Sequence, residues 1–263
     1  MTGPTGAALA PLRERYTHWL GLDQAAVLAD RDEAAEDIRA MQLVLRLERG
    51  DPPSWHGAVA AAATAAALIC LDPRAEPGGE WFDAVAAYCR GHIRKVARRG
   101  RATQWDAVAE LPSVLVERAG AQVRAVLPGP VADLDKRIAK LQVGGTDAPV
   151  DAALPGLPEP VLQVWIPLEP VMTLGKTMAQ AGHAGMIAAA LLAGGDPAGL
   201  VAWAAAGCPV QVQRVDSGVW ASLLAATTEP AAAWDDGLLV VRDAGFTEIA
   251  AGTITVIARA PRT

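Results

Sequence analysis

Cysteine, phenylalanine and tyrosine are scarce in this sequence of 263 residues, which has three cysteines, two phenylalanines and two tyrosines. Cys70, Cys89 and Cys208 are odd in number, lie far apart and form no Cys-x-x-Cys pair. This spacing argues against a disulfide framework and against a structural zinc site. We therefore expect three buried thiols in a reducing compartment, and no metal.

A long apolar run is missing as well. The stretch from Ala58 to Leu71 is almost unbroken, but it is shorter than the roughly 20 residues that a membrane helix needs. A buried helix is therefore favoured over a membrane span. The first ten residues lack the basic and apolar regions of a secretion signal. These features predict a cytoplasmic protein without a membrane segment.

Positive charge is scarce in the last part of the chain. From Glu159 onward there are five basic and nine acidic residues, and Lys176 is the only lysine among them. The whole chain carries a formal net charge of −6. Any contact with a polyanion such as nucleic acid must therefore come from local basic clusters.

The chain divides at a segment rich in proline and glycine, between Gly144 and Pro160. We predict an N-terminal domain at 1–145, a linker at 146–159 and a C-terminal domain at 160–263. No motif of a known enzyme is visible in the N-terminal domain, whose role stays open. No internal repeat is visible either.

The N-terminal domain is predicted to be mainly α. Apolar residues at three- and four-residue spacing favour helices over 31–49 and 81–100, and an alanine-rich helix is expected up to Leu71. Alternating apolar residues around Ala119-Gly120 predict a short β-hairpin. In the C-terminal domain, strand and helix patterns alternate, which predicts an α/β sheet flanked by helices.

Lys176, Gln180 and His183 follow one another at i, i+4 and i+7, so they share one helix face. Lys176 would lie in the first helical turn, where the helix dipole already favours an anion. The alternative is structural: a solvated lysine, a capping glutamine and a core histidine.

Asp243 follows an apolar strand at 238–241. Ligands of α/β sheets bind beyond the carboxyl ends of the strands, where a carboxylate can orient or deprotonate water. The alternative here is an Asx turn closed by its own backbone.

Together these two groups resemble the class II peptidyl-tRNA hydrolase family. In that family a strand is followed by Gly-Lys, by Gln four residues after the Lys and by His-Ala, as at 175–184 here. A downstream Trp near a Gly is matched by Trp203 and Gly207. The pattern Asp-Ala-Gly-x-Thr, followed by a loop and Gly-Thr, is matched by Asp243 to Thr247 and by Gly252-Thr253.

The resemblance covers roughly Val161 to Pro261. It implies a four-stranded mixed sheet flanked by helices, and water attacking the ester that joins a stalled peptide to tRNA. By analogy the catalytic residues would be Lys176, Asp243 and Thr253, and the substrate-binding residues would be Gln180, His183 and Thr247. No cofactor is implied, and the partners would be peptidyl-tRNA and, as in other members, a second copy in a homodimer.

Some positions depart from the family pattern. Glu248 stands where the family has Gln, and Ala250-Ala251 replace prolines. With the acidic C-terminal domain, these departures support a second hypothesis, in which the fold is kept as a module that binds RNA or protein without catalysis.

A basic cluster between Arg90 and Arg101 is the remaining feature. Arg94, Arg98 and Arg101 follow helical spacing within it. We predict that these three side chains face the same side as Lys176 and bind tRNA phosphates, supplying the charge that the C-terminal domain lacks. The alternative is an ordinary solvated helix face.

Overall fold

Two β-sheets enclose a pair of long helices in the computed structural model of the chain, which describes residues 3–20, 33–243 and 248–262. The helices are α1 (Ala10–Leu20), α2 (Trp55–Leu71), α3 (Phe82–Arg90), α4 (Ala102–Val108), α5 (Lys136–Ala139), α6 (Leu174–Gly195), α7 (Pro197–Ala205), α8 (Ser217–Ala226) and α9 (Pro230–Asp235). The strands are β1 (Arg39–Arg46), β2 (Arg94–Gly100), β3 (Ser113–Arg118), β4 (Ala121–Val126), β5 (Gly129–Pro130), β6 (Leu162–Pro167), β7 (Val210–Val215), β8 (Leu238–Arg242) and β9 (Ile254–Arg259).

The C-terminal sheet has the order β7-β6-β9-β8. Strands β6 and β7 are parallel, whereas β9 runs antiparallel to both β6 and β8. This is the four-stranded mixed sheet flanked by helices that the resemblance implied, and that prediction is confirmed. Strand β8 ends within one residue of the strand predicted at 238–241.

The N-terminal region is rich in helix, as predicted, and the hairpin of β3 and β4 is confirmed. The hairpin is, however, part of a larger mixed sheet with the order β2-β1-β4-β3, to which β5 adds by pairing with β1. In this sheet β1 and β2 are parallel, and β4 is antiparallel to β1.

The helix predicted over 31–49 is wrong, because the described part of it that has regular structure is mainly strand β1. Every residue from Ala40 to Leu45 is buried, since both faces of β1 are covered. A strand buried on both faces shows no polar and apolar alternation, and its apolar residues then fit a helical spacing by chance.

The helix predicted over 81–100 is wrong in its second half. Helix α3 ends at Arg90, and Ile93 has a positive φ of 44° that a continuing helix does not allow. The basic residues beyond it lie on strand β2, so their side chains alternate between two faces of a sheet.

Helices α2 and α6 pack against each other between the two sheets. Their backbones approach closely, because a Cβ on Gly185 would lie 2.3 Å from the carbonyl oxygen of Ala63. One hydrophobic cluster includes α2, α6 and the inner faces of both sheets, for example Leu43, Val123 and Val164. The cluster also takes in the three cysteines, which are buried thiols as predicted.

Tyr16 of helix α1 contacts the open edge of strand β8. The main-chain N–H of Val240 donates to the Tyr16 hydroxyl at 3.1 Å, and burial raises the pKa of Tyr16 to about 12. An edge strand presents unpaired main-chain groups, and this hydroxyl satisfies one of them. The contact fixes the strand that ends just before Asp243.

Candidate functional site

The first turn of helix α6 presents Lys176. Thr173 caps the helix, and its hydroxyl oxygen accepts the main-chain N–H of Lys176 at 3.2 Å. The unpaired N–H groups of a first turn carry a partial positive charge. The Lys176 ammonium adds a full charge to this end of the helix.

Asp243 is held at the end of β8 by its own main chain. Its N–H donates to the carbonyl of Thr253 at 2.9 Å, and its carbonyl accepts the N–H of Gly252 at 2.7 Å. These two bonds join the end of β8 to the residues that lead into β9. Thr253 therefore contacts Asp243 through its backbone.

Lys176 and Asp243 form an ion pair, in which Nζ contacts Oδ2. The side chains are only 12% and 3% exposed, respectively. The structure thus brings together the two residues that the sequence placed in separate motifs. An ion pair with so little exposure is screened far less by salt than a surface pair.

A short chain of hydrogen bonds extends the pair into the core. Gln180 donates from Nε2 to Asp243 Oδ2 at 2.8 Å, and the Thr255 hydroxyl donates to Gln180 Oε1 at 2.6 Å. Gln180 and Thr255 are both buried. The lysine, carboxylate, amide and hydroxyl form a connected polar network, which fixes the Asp243 carboxylate in one orientation.

Thr255 was not among the site residues predicted from sequence, although it lies in the matched C-terminal motif. The signal that could have found it is strand alternation, since Thr255 lies two residues after Thr253. Thr247, a predicted substrate-binding residue, lies outside the described residues.

His183 lies one turn beyond Gln180 on α6 and contacts a residue of the N-terminal sheet. Its Nδ1 is 3.4 Å from Nζ of Lys95 on β2. Burial lowers the pKa of His183, and the charges of Lys95 and Lys176 lower it further. Burial also lowers the pKa of Lys95 to about 7. Lys95 was not predicted as a site residue, because its cluster was interpreted as a helix.

Glu248 lies beside the first turn of α6. Its carboxylate accepts the main-chain N–H of Thr173 at 3.0 Å and the Thr173 hydroxyl at 2.7 Å. A negative charge is favourable there because it opposes the positive end of the helix dipole. At the position where the family has Gln, the charge of Glu248 therefore suits its contact with Thr173 at the start of α6.

The basic cluster does not form the surface that we predicted. Arg94 pairs with Glu33, while Arg98 donates to the Gln42 side chain at 2.7 Å and to the Leu141 carbonyl at 3.0 Å. Arg94 and Arg98 lie on the face of β2 opposite to Lys95, the residue that contacts α6. The prediction that they face the same side as Lys176 is therefore wrong. Arg101, which follows β2, is exposed.

Across 3–20, 33–243 and 248–262, no group of three or more His, Cys, Asp or Glu side chains is arranged to hold a metal ion. Within those same ranges, no helix combines the length and the apolar character needed to cross a membrane.

Comparison with known families supports the resemblance drawn from the motifs. Residues 164–263 match the model of the family described as peptidyl-tRNA hydrolase PTH2. The matched segment begins inside β6 and contains Lys176, Gln180, Asp243 and Thr255. Neither the curated proteins nor the solved structures include a match to this chain.

Proposed function

We propose that this chain is a peptidyl-tRNA hydrolase, which cleaves the ester between a peptide, or an N-blocked amino acid, and tRNA with water as the nucleophile. The observation that carries the proposal is the buried ion pair of Lys176 and Asp243 within the segment that matches the family. The reaction would release tRNA from stalled peptides, a step of ribosome rescue in the cytoplasm.

In this proposal, Asp243 orients the attacking water and accepts its proton, which is the role of a general base. The water oxygen bonds to the ester carbonyl carbon, and negative charge develops on the carbonyl oxygen. Lys176 stabilises that charge from the positive end of α6. The carbon–oxygen bond to the ribose then breaks, and the ribose oxygen takes up a proton as tRNA leaves.

The other proposed residues position these two groups or the substrate. Gln180 and Thr255 hold the carboxylate through the bonds described above, and Thr253 holds the main chain of Asp243. We propose that His183 and Thr247 contact the substrate. The chemistry uses only the side chains of this chain and water.

An acidic domain lacks the positive charge that binds tRNA, because neutralisation of phosphates supplies much of the affinity for nucleic acids. Arg101 is exposed and suits phosphate contact. Arg94 and Arg98 do not bind phosphate in this proposal, because their guanidinium groups bind Glu33, Gln42 and Leu141.

The second candidate function is a non-catalytic module that binds RNA or protein. It is favoured by the low exposure of Lys176 and Asp243, because a buried ion pair also serves a purely structural purpose. The acidic surface and the contact of Glu248 with Thr173 fit this function as well.

Hydrolysis of purified peptidyl-tRNA by the wild type and by Asp243→Asn separates the two functions. An amide cannot accept the proton, so we expect turnover to fall by roughly 10² to 10⁴-fold with the fold retained. The matched control is Asp236→Asn, which changes an exposed aspartate of the same domain and should leave turnover unchanged. If the wild type hydrolyses none of the acylated tRNAs, and both proteins bind tRNA equally, the module is the correct function.

A further inference from the structure

The two sheets share one topology. Their orders, β2-β1-β4-β3 and β7-β6-β9-β8, correspond strand for strand when the chain is followed from the N-terminus. In each sheet the first two strands of the order are parallel and the remaining neighbours are antiparallel. Two helices connect the parallel strands in each case, α2 and α3 in the first and α6 and α7 in the second.

The correspondence extends to single side chains. Helices α3 and α7 have the same length and lie 115 positions apart in the sequence. On α3 the buried Tyr88 donates its hydroxyl to the carbonyl of Arg94 at 2.8 Å. On α7 the buried Trp203, again 115 positions later, donates Nε1–H to the carbonyl of Pro209 at 3.0 Å. Each aromatic residue thus ties its helix to the start of the next strand.

The same spacing of 115 positions relates two unusual backbone conformations. Ile93 and Cys208, which precede β2 and β7, have positive φ angles of 44° and 52°. Such angles are uncommon outside glycine, especially for a β-branched residue. The helices that follow β2 and β7 carry Trp105 and Trp220 at equivalent positions, and both pack on the outer face of their sheet.

The two halves also contact each other reciprocally. Helix α2 packs against β7 of the other sheet, and α6 packs against β2. On one side the Thr64 hydroxyl donates to the Cys208 carbonyl at 2.9 Å, and on the other His183 contacts Lys95. Reciprocal contacts of this kind are the mark of a twofold interface between two copies of one fold.

The reacting residues are present in only one half. Ser54 caps α2 as Thr173 caps α6, and the oxygen of each accepts an N–H three residues later. That later residue is Lys176 in α6 but Gly57 in α2. A Cβ on Gly57 would lie 2.4 Å from the carbonyl oxygen of Arg118, so no side chain fits there.

The partner of the lysine is replaced as well. Counted from the first residue of each strand, Arg118 on β3 corresponds to Asp243 after β8, so an arginine stands where the carboxylate would be. Ala61 occupies the position on α2 that Gln180 has on α6. The network of lysine, carboxylate and amide is therefore absent from the first half.

We propose that residues 39–130 are a second, N-terminal copy of the hydrolase fold, which the linker joins to the C-terminal copy. The N-terminal copy has lost its site and takes the place of a partner subunit. The predicted linker at 146–159 then separates two copies of one fold. One chain therefore contains a complete pair of folds with a single working site. The repeat was not visible in the sequence, because its conserved features are contacts and backbone angles.

The proposal that the chain contains two copies of one fold does not depend on the proposed function. The proposal that only one copy has a working site does depend on the proposed function. The first experiment measures the mass of the full chain by light scattering over a wide range of protein concentration. We expect the monomer mass of 27.3 kDa throughout, because the face that a second copy would cover is already filled. A mass that doubles as the concentration rises would overturn the proposal.

The second experiment compares Lys176→Ala with the wild type in hydrolysis of peptidyl-tRNA. We expect the hydrolysis rate of the variant to fall to that of the ester without enzyme. A second working site would leave part of the wild-type rate. Retention of about half of the turnover would overturn the single-site arrangement. If the wild type itself is inactive, the proposed function fails, and the mass measurement still decides whether the first half replaces a partner.

Discussion

Glu248 holds Thr173 by both of its carboxylate oxygens, at 3.0 Å from the main-chain nitrogen and 2.7 Å from the hydroxyl oxygen. The contact joins the loop after β8 to the first residue of the α6 cap. Asp243 lies five residues before Glu248 in the sequence, and Lys176 lies three residues after Thr173. Glu248 is thereby held beside the positive end of the helix that carries the candidate site.

Glu248→Gln should lower the free energy of unfolding by about 0.3–1 kcal/mol, the usual contribution of a charge at a helix terminus. Denaturant unfolding measures the change. Glu169→Gln is the matched control, because it removes the same charge from the exposed segment just before Thr173. Equal losses in the two variants would show that the charge acts only through the net charge of the domain.

Thr255→Val should weaken both stability and turnover. The substitution removes the hydroxyl that donates to Gln180, and a buried amide oxygen without a donor costs about 1–3 kcal/mol. Gln180 would then hold Asp243 less firmly, so turnover should fall more than substrate affinity. Thr255→Ser keeps the hydroxyl and should restore turnover. If Thr255→Val loses stability but keeps full turnover, the network is structural only.

Lys95→Met should change how stability depends on pH. The pKa of Lys95 is about 7 in the fold and 10.5 without it, so the unfolded chain binds more protons between these values. The free energy of unfolding contributed by Lys95 therefore rises from about pH 7 to pH 10.5 and is lowest below pH 7. We expect the variant to lack this rise and to exceed the wild type in stability below pH 7.

Neighbouring groups also change their protonation on unfolding, but the wild type and Lys95→Met share them, so the difference between the two stability curves reports on Lys95. Burial raises the pKa of Cys70 to about 12 and raises those of Tyr88 and Cys89 as well, while that of His183 is lowered. Lys140→Met, at an exposed lysine, is the control. Parallel stability curves for wild type and Lys95→Met would contradict the prediction.

Arg98→Ala and Arg101→Ala should have different effects, although both remove one charge from the same cluster. Arg98 is hydrogen-bonded to Gln42 and Leu141, so its loss should cost about 1–3 kcal/mol of stability. Arg101 is exposed, so its loss should leave stability unchanged. If Arg101 contacts one tRNA phosphate, the slope of log affinity against log salt should flatten by roughly 0.9. An unchanged slope would assign Arg101 to the solvated surface.

The C-terminal half was predictable because its elements carry strong local signals. The apolar run predicted as a strand at 238–241 is strand β8, because a short run of apolar residues is a local signal that needs no distant contact. The pairing of Lys176 with Asp243 could be expected only through the family resemblance, because the two residues are far apart in sequence.

The N-terminal sheet was not predictable by the same reasoning. Strand β2 consists mainly of arginine, lysine and small residues, which favour no strand by themselves. It is a strand because its inner face packs on α6 and its outer face binds Gln42 and Leu141. These contacts come from distant parts of the chain, so the local sequence does not contain the information.

The close contact of α2 and α6 has a consequence for biosynthesis. Nearly every side chain of α2 is buried, and α6 supplies part of that cover. The ribosome completes α2 before it begins α6, so the nascent chain has an alanine-rich apolar helix without this cover while residues 72–173 are made. Exposed apolar surface of this kind makes a folding intermediate prone to aggregate. The order of translation therefore leaves the first half of this chain prone to aggregation until α6 has been made.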